Sequence, residues 1–141
     1  MKHINRLTII ILIFAAFLLP ACGGGGQIPV TGGKAVPSKL EPIDGTDLSR
    51  VILTEKAAQR IGVQTVPVKG RVVPYSAVIY DTEGNTWIYT NPTPLTFVRV
   101  PVVINFIQDD QAYLSQGLES DAPIVTIGVA EIYGAETGVS K

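Results

Sequence analysis

Residues 73–89 read Val-Pro-Tyr-Ser-Ala-Val-Ile-Tyr-Asp-Thr-Glu-Gly-Asn-Thr-Trp-Ile-Tyr, two runs of β-branched and aromatic residues on either side of a short acidic turn. β-Branched and aromatic side chains suit a pleated, half-buried surface. Gly84 and Asn85 tolerate positive φ and allow a tight reversal between the runs. The stretch therefore predicts a β-hairpin, with residues 86–90 antiparallel to residues 73–80.

Outward from the hairpin, the same chemistry repeats. Strands are expected at residues 63–69, 72–80, 86–90, 95–105, 112–115 and 124–133, with turns near Gly70, at residues 82–85, 91–94 and 109–111, and at residues 117–123. Short, evenly spaced strands with turn residues between them point to an all-β domain. The expectation is a small antiparallel β-roll or barrel of about six strands with one short helix, occupying residues 49–135, with residues 136–141 as a disordered tail. In the fourth run Val98, Val100, Val102 and Ile104 line one face, opposite Phe97, Arg99, Pro101 and Val103. A strand this apolar on both faces should be covered on both. Pro101 has no N–H to give to a ladder, which points instead to an edge or a bulge.

Upstream, Thr54 is a suitable N-cap, Glu55 suits the first turn, and Ala57-Ala58-Gln59-Arg60 are good helix formers. Gly62 suits the left-handed residue that ends a helix. Leu53, Ala57 and Ile61 share one face, and two turns of helix need that face packed against the sheet to persist. Residues 22–48 are rich in glycine and proline, starting with the run Gly23-Gly24-Gly25-Gly26, and read as a flexible linker. About 25 such residues have a root-mean-square reach of about 25–30 Å.

The first 21 residues carry Lys2 and Arg6, then an apolar run interrupted only by Thr8, then Pro20-Ala21-Cys22. That is the layout of an export signal. Leu19-Pro20-Ala21-Cys22 resembles the lipobox of bacterial lipoproteins, which implies cleavage before Cys22 and lipidation of its thiol. Several acyl chains on one residue anchor a domain stably, where a single chain holds only marginally. The expected location is the periplasmic side of a bacterial membrane. Lipoproteins kept at the inner membrane of enterobacteria commonly have Asp after the cysteine, and Gly23 here favours the outer membrane.

Without residues 1–21, nine of the eleven Lys/Arg remain against twelve Asp/Glu, a net charge of −3. Nucleic acid would call for the opposite sign. His3 is the sole histidine and Cys22 the sole cysteine. The processed chain acting alone thus excludes Ser-His-Asp and Cys-His nucleophilic sites and His-bearing zinc sites. No cofactor or metal ligand set is expected.

The hairpin also resembles a segment near the end of periplasmic adaptor subunits (membrane fusion proteins) of RND-type efflux pumps. Those proteins carry a Val-Pro-x-x-Ala-Val strand, a glycine-containing turn, then an aromatic-rich strand. Residues 51–68, Val-Ile-Leu-Thr-Glu-Lys-Ala-Ala-Gln-Arg-Ile-Gly-Val-Gln-Thr-Val-Pro-Val, are similar to the adaptor segment that leads into the globular part. Phe97-Val-Arg-Val-Pro-Val-Val-Ile104, Gln116-Gly-Leu118 and Ala122-Pro-Ile-Val-Thr-Ile-Gly-Val-Ala130 continue the likeness. Ser120-Asp121 stands where adaptors have Gly-Asp. The likeness covers residues 51–132. It implies a membrane-proximal adaptor domain that docks, without catalysis, on an RND-type transporter or another envelope protein. Full adaptors insert a helical hairpin, a lipoyl-like sandwich and a β-barrel where this chain runs straight from the helix into the hairpin. An accessory or reduced adaptor is therefore implied.

Tyr75, Trp87, Tyr89 and Arg99 are the candidate partner-binding residues, set against the commoner role of such aromatics as core and cross-strand pairs. Asp109-Asp110 reads as a solvated turn rather than an acid/base pair, and residues 81–85 as a hairpin turn rather than a calcium loop. Nothing surrounds Ser76 that would make it a nucleophile, so no catalytic residue is expected. An alternative is a periplasmic module that binds a small molecule or lipid in a pocket lined by Tyr89, Phe97 and Tyr113.

Overall fold

The computed structural model describes residues 36–68, 70–118 and 121–138. The segment expected to be an export signal, Cys22 and the glycine-rich part of the expected linker lie outside them. The described chain is all-β in class, with ten strands and two helices where about six strands and one helix were expected.

The expected linker ends early. Strand β1 (Ser38–Pro42) pairs antiparallel along its whole length with β2 (Ser49–Leu53), across a turn in which Ile43 N donates to Leu48 O at 3.0 Å. Residues 38–42 have only modest apolar content, and it is the β2 partner that satisfies their backbone groups. Helix α1 (Glu55–Ile61) follows the local signals. Thr54 Oγ1 accepts from Ala57 N at 3.2 Å, and Gly62 takes φ 71° while its N–H donates to Ala58 O. Strand β3 (Gln64–Val66) is shorter than expected because Pro67, which lacks an N–H, follows it.

The expected strand at residues 72–80 is two strands. β4 (Val72–Pro74) and β5 (Ile79–Tyr80) are separated by a 3₁₀ turn at Tyr75–Ala77. That turn carries the chain from one sheet to another, so the hairpin with β6 (Thr86–Thr93) keeps only two cross-strand pairs, Ile79 with Trp87 and Tyr80 with Thr86. The main partner of β6 is β7 (Thr96–Val102), reached through Pro94-Leu95, with Leu95 at φ 61°. The run 95–105 likewise divides at Val103, and β8 (Ile104–Gln108) pairs with β9 (Gln111–Leu114). Asp109 and Asp110, both at positive φ, form the two-residue turn between them, as a type I′ hairpin requires. β10 (Ile124–Ile127) stops at Gly128, and helix α2 (Val129–Thr137) replaces the rest of the expected closing strand and the start of the expected tail.

The seven-stranded sheet has the order β1-β2-β7-β6-β10-β3, with β5 also on β6, and the three-stranded sheet the order β4-β9-β8. All the pairings are antiparallel. The larger sheet is the middle layer. Val51, Leu53, Tyr89, Phe97 and Val125 on one of its faces pack with Ala57 of α1 and Val129 and Ile132 of α2. Ile88 and Ile124 on the other face pack with Val73, Ala77, Ala112 and Leu114. Full burial of an Ile, Val or Leu side chain stabilises by about 1.5–3 kcal/mol, so these two clusters supply most of the driving force.

This layering resolves the two readings of β7. Both faces are covered, Phe97 by the helices and Val100 and Val102 by the small sheet. The ladder with β2 involves only Thr96, Phe97 and Val98, so Pro101 lies beyond it, where the missing N–H costs no bond to β2.

Candidate functional site

Three of the four candidate partner-binding residues converge on one face of the middle sheet. Trp87 and Tyr89 are two apart on β6, and Arg99 on β7 is the cross-strand partner of Tyr89. Period-two alternation puts all three on the face that α2 covers. Tyr75 is elsewhere, 38% exposed in the 3₁₀ turn, where its N–H donates to Asp110 O at 2.8 Å. The neighbouring Tyr75 side chain, then burial, raises the Tyr80 phenol above its ordinary range.

Helix α2 completes the cluster with Tyr133 and Glu136. The Tyr89 hydroxyl donates to Glu136 Oε2, and Ser49 N donates to Oε1 at 3.4 Å. Arg99 Nε lies 3.4 Å from Oε2. That nitrogen is buried and makes no aligned hydrogen bond, so its contact with the carboxylate is one of charge rather than of directed bonding. The guanidinium carbon stands 4.4 Å from the centre of the Trp87 ring and 5.5 Å from that of Tyr133, within the range of cation–π attraction. The Arg99 and Glu136 side chains are only 12% and 5% exposed.

Burial, and then the hydrogen bond to Glu136, push the Tyr89 phenol far above its ordinary value. It stays protonated and acts as a donor. Tyr89 itself is fully buried, so its ring offers no surface to a partner. The arrangement is a closed clamp that ties the last helix to the sheet. Neither Glu136, assigned by sequence to a tail, nor Tyr133, assigned to a strand, was a candidate. The helix-forming run Ala130-Glu131 and Ala135-Glu136 after Gly128 was the available signal.

The hairpin turn is a second polar hub. Asp81 Oδ1 accepts from Glu83 N at 2.9 Å and Asn85 N at 2.8 Å, and Oδ2 accepts from Asn85 Nδ2 and from Trp87 Nε1, both at 2.9 Å. The Asn85 side chain, then Trp87, lowers the Asp81 carboxyl to about 2. A folded pKa below the unfolded value means that this carboxylate stabilises the fold fully above the unfolded pKa, about 3.9, and progressively less as pH falls through about 2. Trp87 is the sole tryptophan. Acid titration followed by its fluorescence should show a transition between pH 4 and pH 2 that Asp81→Asn removes or displaces. An unchanged profile in the variant would assign the acid sensitivity to other carboxylates.

The proposed pocket residues do not share a site. Tyr89 and Phe97 are in the helix-side core, whereas Tyr113 stacks on Phe106 in the small sheet with ring centres 4.3 Å apart. Among the described residues no group of three or more His, Cys, Asp or Glu is placed to hold a metal ion, and no helix is long and apolar enough to cross a membrane. The surface between the hairpin turn and β8 forms an open groove of about 830 Å³ lined by Tyr80, Trp87, Pro101, Val103 and Ile107.

Searches against protein-family models, curated proteins and solved structures find no match to this chain.

Proposed function

We propose that the chain is a non-catalytic, lipid-anchored envelope protein that docks on an RND-type efflux transporter, as an accessory or reduced adaptor-like subunit. The observation that carries this reading is the shared core of the helix-led segment and the hairpin. Ala57 and Ile61 of α1 pack in one cluster with Ile79 and Tyr89 of the hairpin arms. The two segments that resemble adaptor sequence are thus parts of one domain, joined without the long middle of an adaptor. The polar groups of greatest chemical interest, Tyr89, Arg99 and Glu136, are spent on holding α2, which favours a docking role over a reactive one.

In this reading Cys22 holds the domain to the periplasmic side of the membrane, the outer membrane being favoured. Cys22→Ser should move the protein from the membrane fraction into the soluble periplasmic fraction or leave it as uncleaved precursor, with the fold of the β domain unchanged. Cross-linking in intact envelopes followed by affinity capture should recover an inner-membrane transporter component. Recovery of other envelope proteins without any transporter would sink the pump assignment.

A further inference from the structure

Among the described residues, five strands leave one long edge without a neighbouring strand: β1, β3, β4, β5 and β8. Four of them carry the features that keep sheet edges from pairing. β1 contains Lys39, Glu41 and Pro42, β3 has three residues and is followed by Pro67, β4 ends in Pro74, and β5 is two residues long. Short length, charge and proline all blunt an edge. β8 differs. Its five residues, Ile-Asn-Phe-Ile-Gln, include no charge and no proline, and Phe106 and Ile107 are 52% and 45% exposed. A bulge at Asn105 is its one irregularity, and the ladder is regular from Phe106 to Gln108.

We propose that β8 is a homodimerisation edge, pairing antiparallel with β8 of a second copy about a two-fold axis at Ile107. In a two-residue hairpin the residues flanking the turn, Gln108 and Gln111, exchange both hydrogen bonds. The next residue, Ile107, then turns its N–H and C=O to the open edge. Two copies related by a two-fold axis satisfy these groups mutually at Ile107 and join their small sheets into one continuous sheet.

The charges fit a second copy. The register places Phe106 across from Gln108 of the second copy and brings the bulge residue Asn105, an amide donor, toward the second copy's turn residue Asp109. The two Asp109 residues are then four residues apart along the strands, about 14 Å, beyond the roughly 8 Å over which surface charges interact at physiological ionic strength. The acidic turns do not repel one another, while exposed Ile107 is covered beside the groove that Val103 and Tyr80 line.

The test uses the full chain in detergent. Sedimentation should show a species of twice the monomer mass, and Ile107→Lys should weaken self-association by roughly tenfold or more with an unchanged circular dichroism spectrum. In a Cys22→Ser background, Ile107→Cys should form an interchain disulfide on mild oxidation, whereas Lys39→Cys on β1 should not. A wild-type chain that stays monomeric, a dimer that survives Ile107→Lys, or equal cross-linking through position 39 would each overturn the assignment. So would association through β8 with a different envelope protein only.

Discussion

Gly128→Ala should destabilise the domain by about 3 kcal/mol, a large share of the roughly 5–15 kcal/mol that holds a domain folded. Two independent costs combine. Gly128 has φ 89°, where an L side chain costs roughly 1–2 kcal/mol. A Cβ there would stand 2.6 Å from Ile61 Cγ2 and 3.1 Å from Val63 Cγ2, and relieving such overpacking costs about 1–3 kcal/mol. Ile61 has little room to retreat, because it packs against the core beneath α1. Gly84→Ala is the matched control. It has nearly the same φ, 86°, with no atom within 4 Å of the added carbon, so it should cost only the backbone share, about 1–2 kcal/mol. Urea unfolding followed by Trp87 fluorescence measures both. Equal losses for the two variants would show that the contact with α1 contributes nothing.

The second large effect is expected at the clamp. Arg99→Ala should cost about 3–5 kcal/mol, because the Glu136 carboxylate is left buried without its cation while the faces of Trp87 and Tyr133 lose theirs. Glu136→Ala should cost a comparable amount. It strands the Arg99 guanidinium and removes the acceptor of the Tyr89 hydroxyl and of Ser49 N. The double variant should lose less than the sum, since breaking one partner of a buried pair is worse than removing both. Additive losses would mean that the 3.4 Å contact carries no coupling. Hydrogen exchange in α2 should rise in both single variants before global unfolding, because the clamp is what fastens that helix beyond Val129 and Ile132.

Features that depend on neighbours within a few residues were legible. Thr54 caps α1 and Gly62 ends it, Asp81 to Asn85 reverses the chain, and Asp109-Asp110 forms the turn between β8 and β9. Each is a contest between a side chain and nearby backbone groups, and that contest is settled locally. For β7 the sequence left two readings, coverage on both faces or an edge at Pro101, and the layering decided between them.

The site was legible only in part. Alternation alone puts Trp87 and Tyr89 on one face of their strand, yet the register that sets Arg99 beside Tyr89 and the helix that covers them are tertiary, and Glu136 reaches Ser49 across a separation of 87 residues. The division of residues 72–80 and 95–105 between two sheets was hidden for a similar reason. Val72 to Pro74 and Ile79 to Tyr80 have the same strand chemistry, and only their partners, β9 for one and β6 for the other, set them apart.

By itself, then, the sequence determined the all-β class, the capped helix, the turns and the alternation of faces, all of which follow from backbone preferences and short-range burial. The tertiary structure alone decided that the chain changes sheets at Tyr75 and Val103 and that the helix after Gly128 packs on the large sheet. It also decided that Arg99 and Glu136 face inward as a pair and that β8 is left as an open, uncharged edge. These outcomes rest on contacts between segments far apart in the chain, and strand pairing is chosen by which distant partner satisfies the backbone and buries the apolar face.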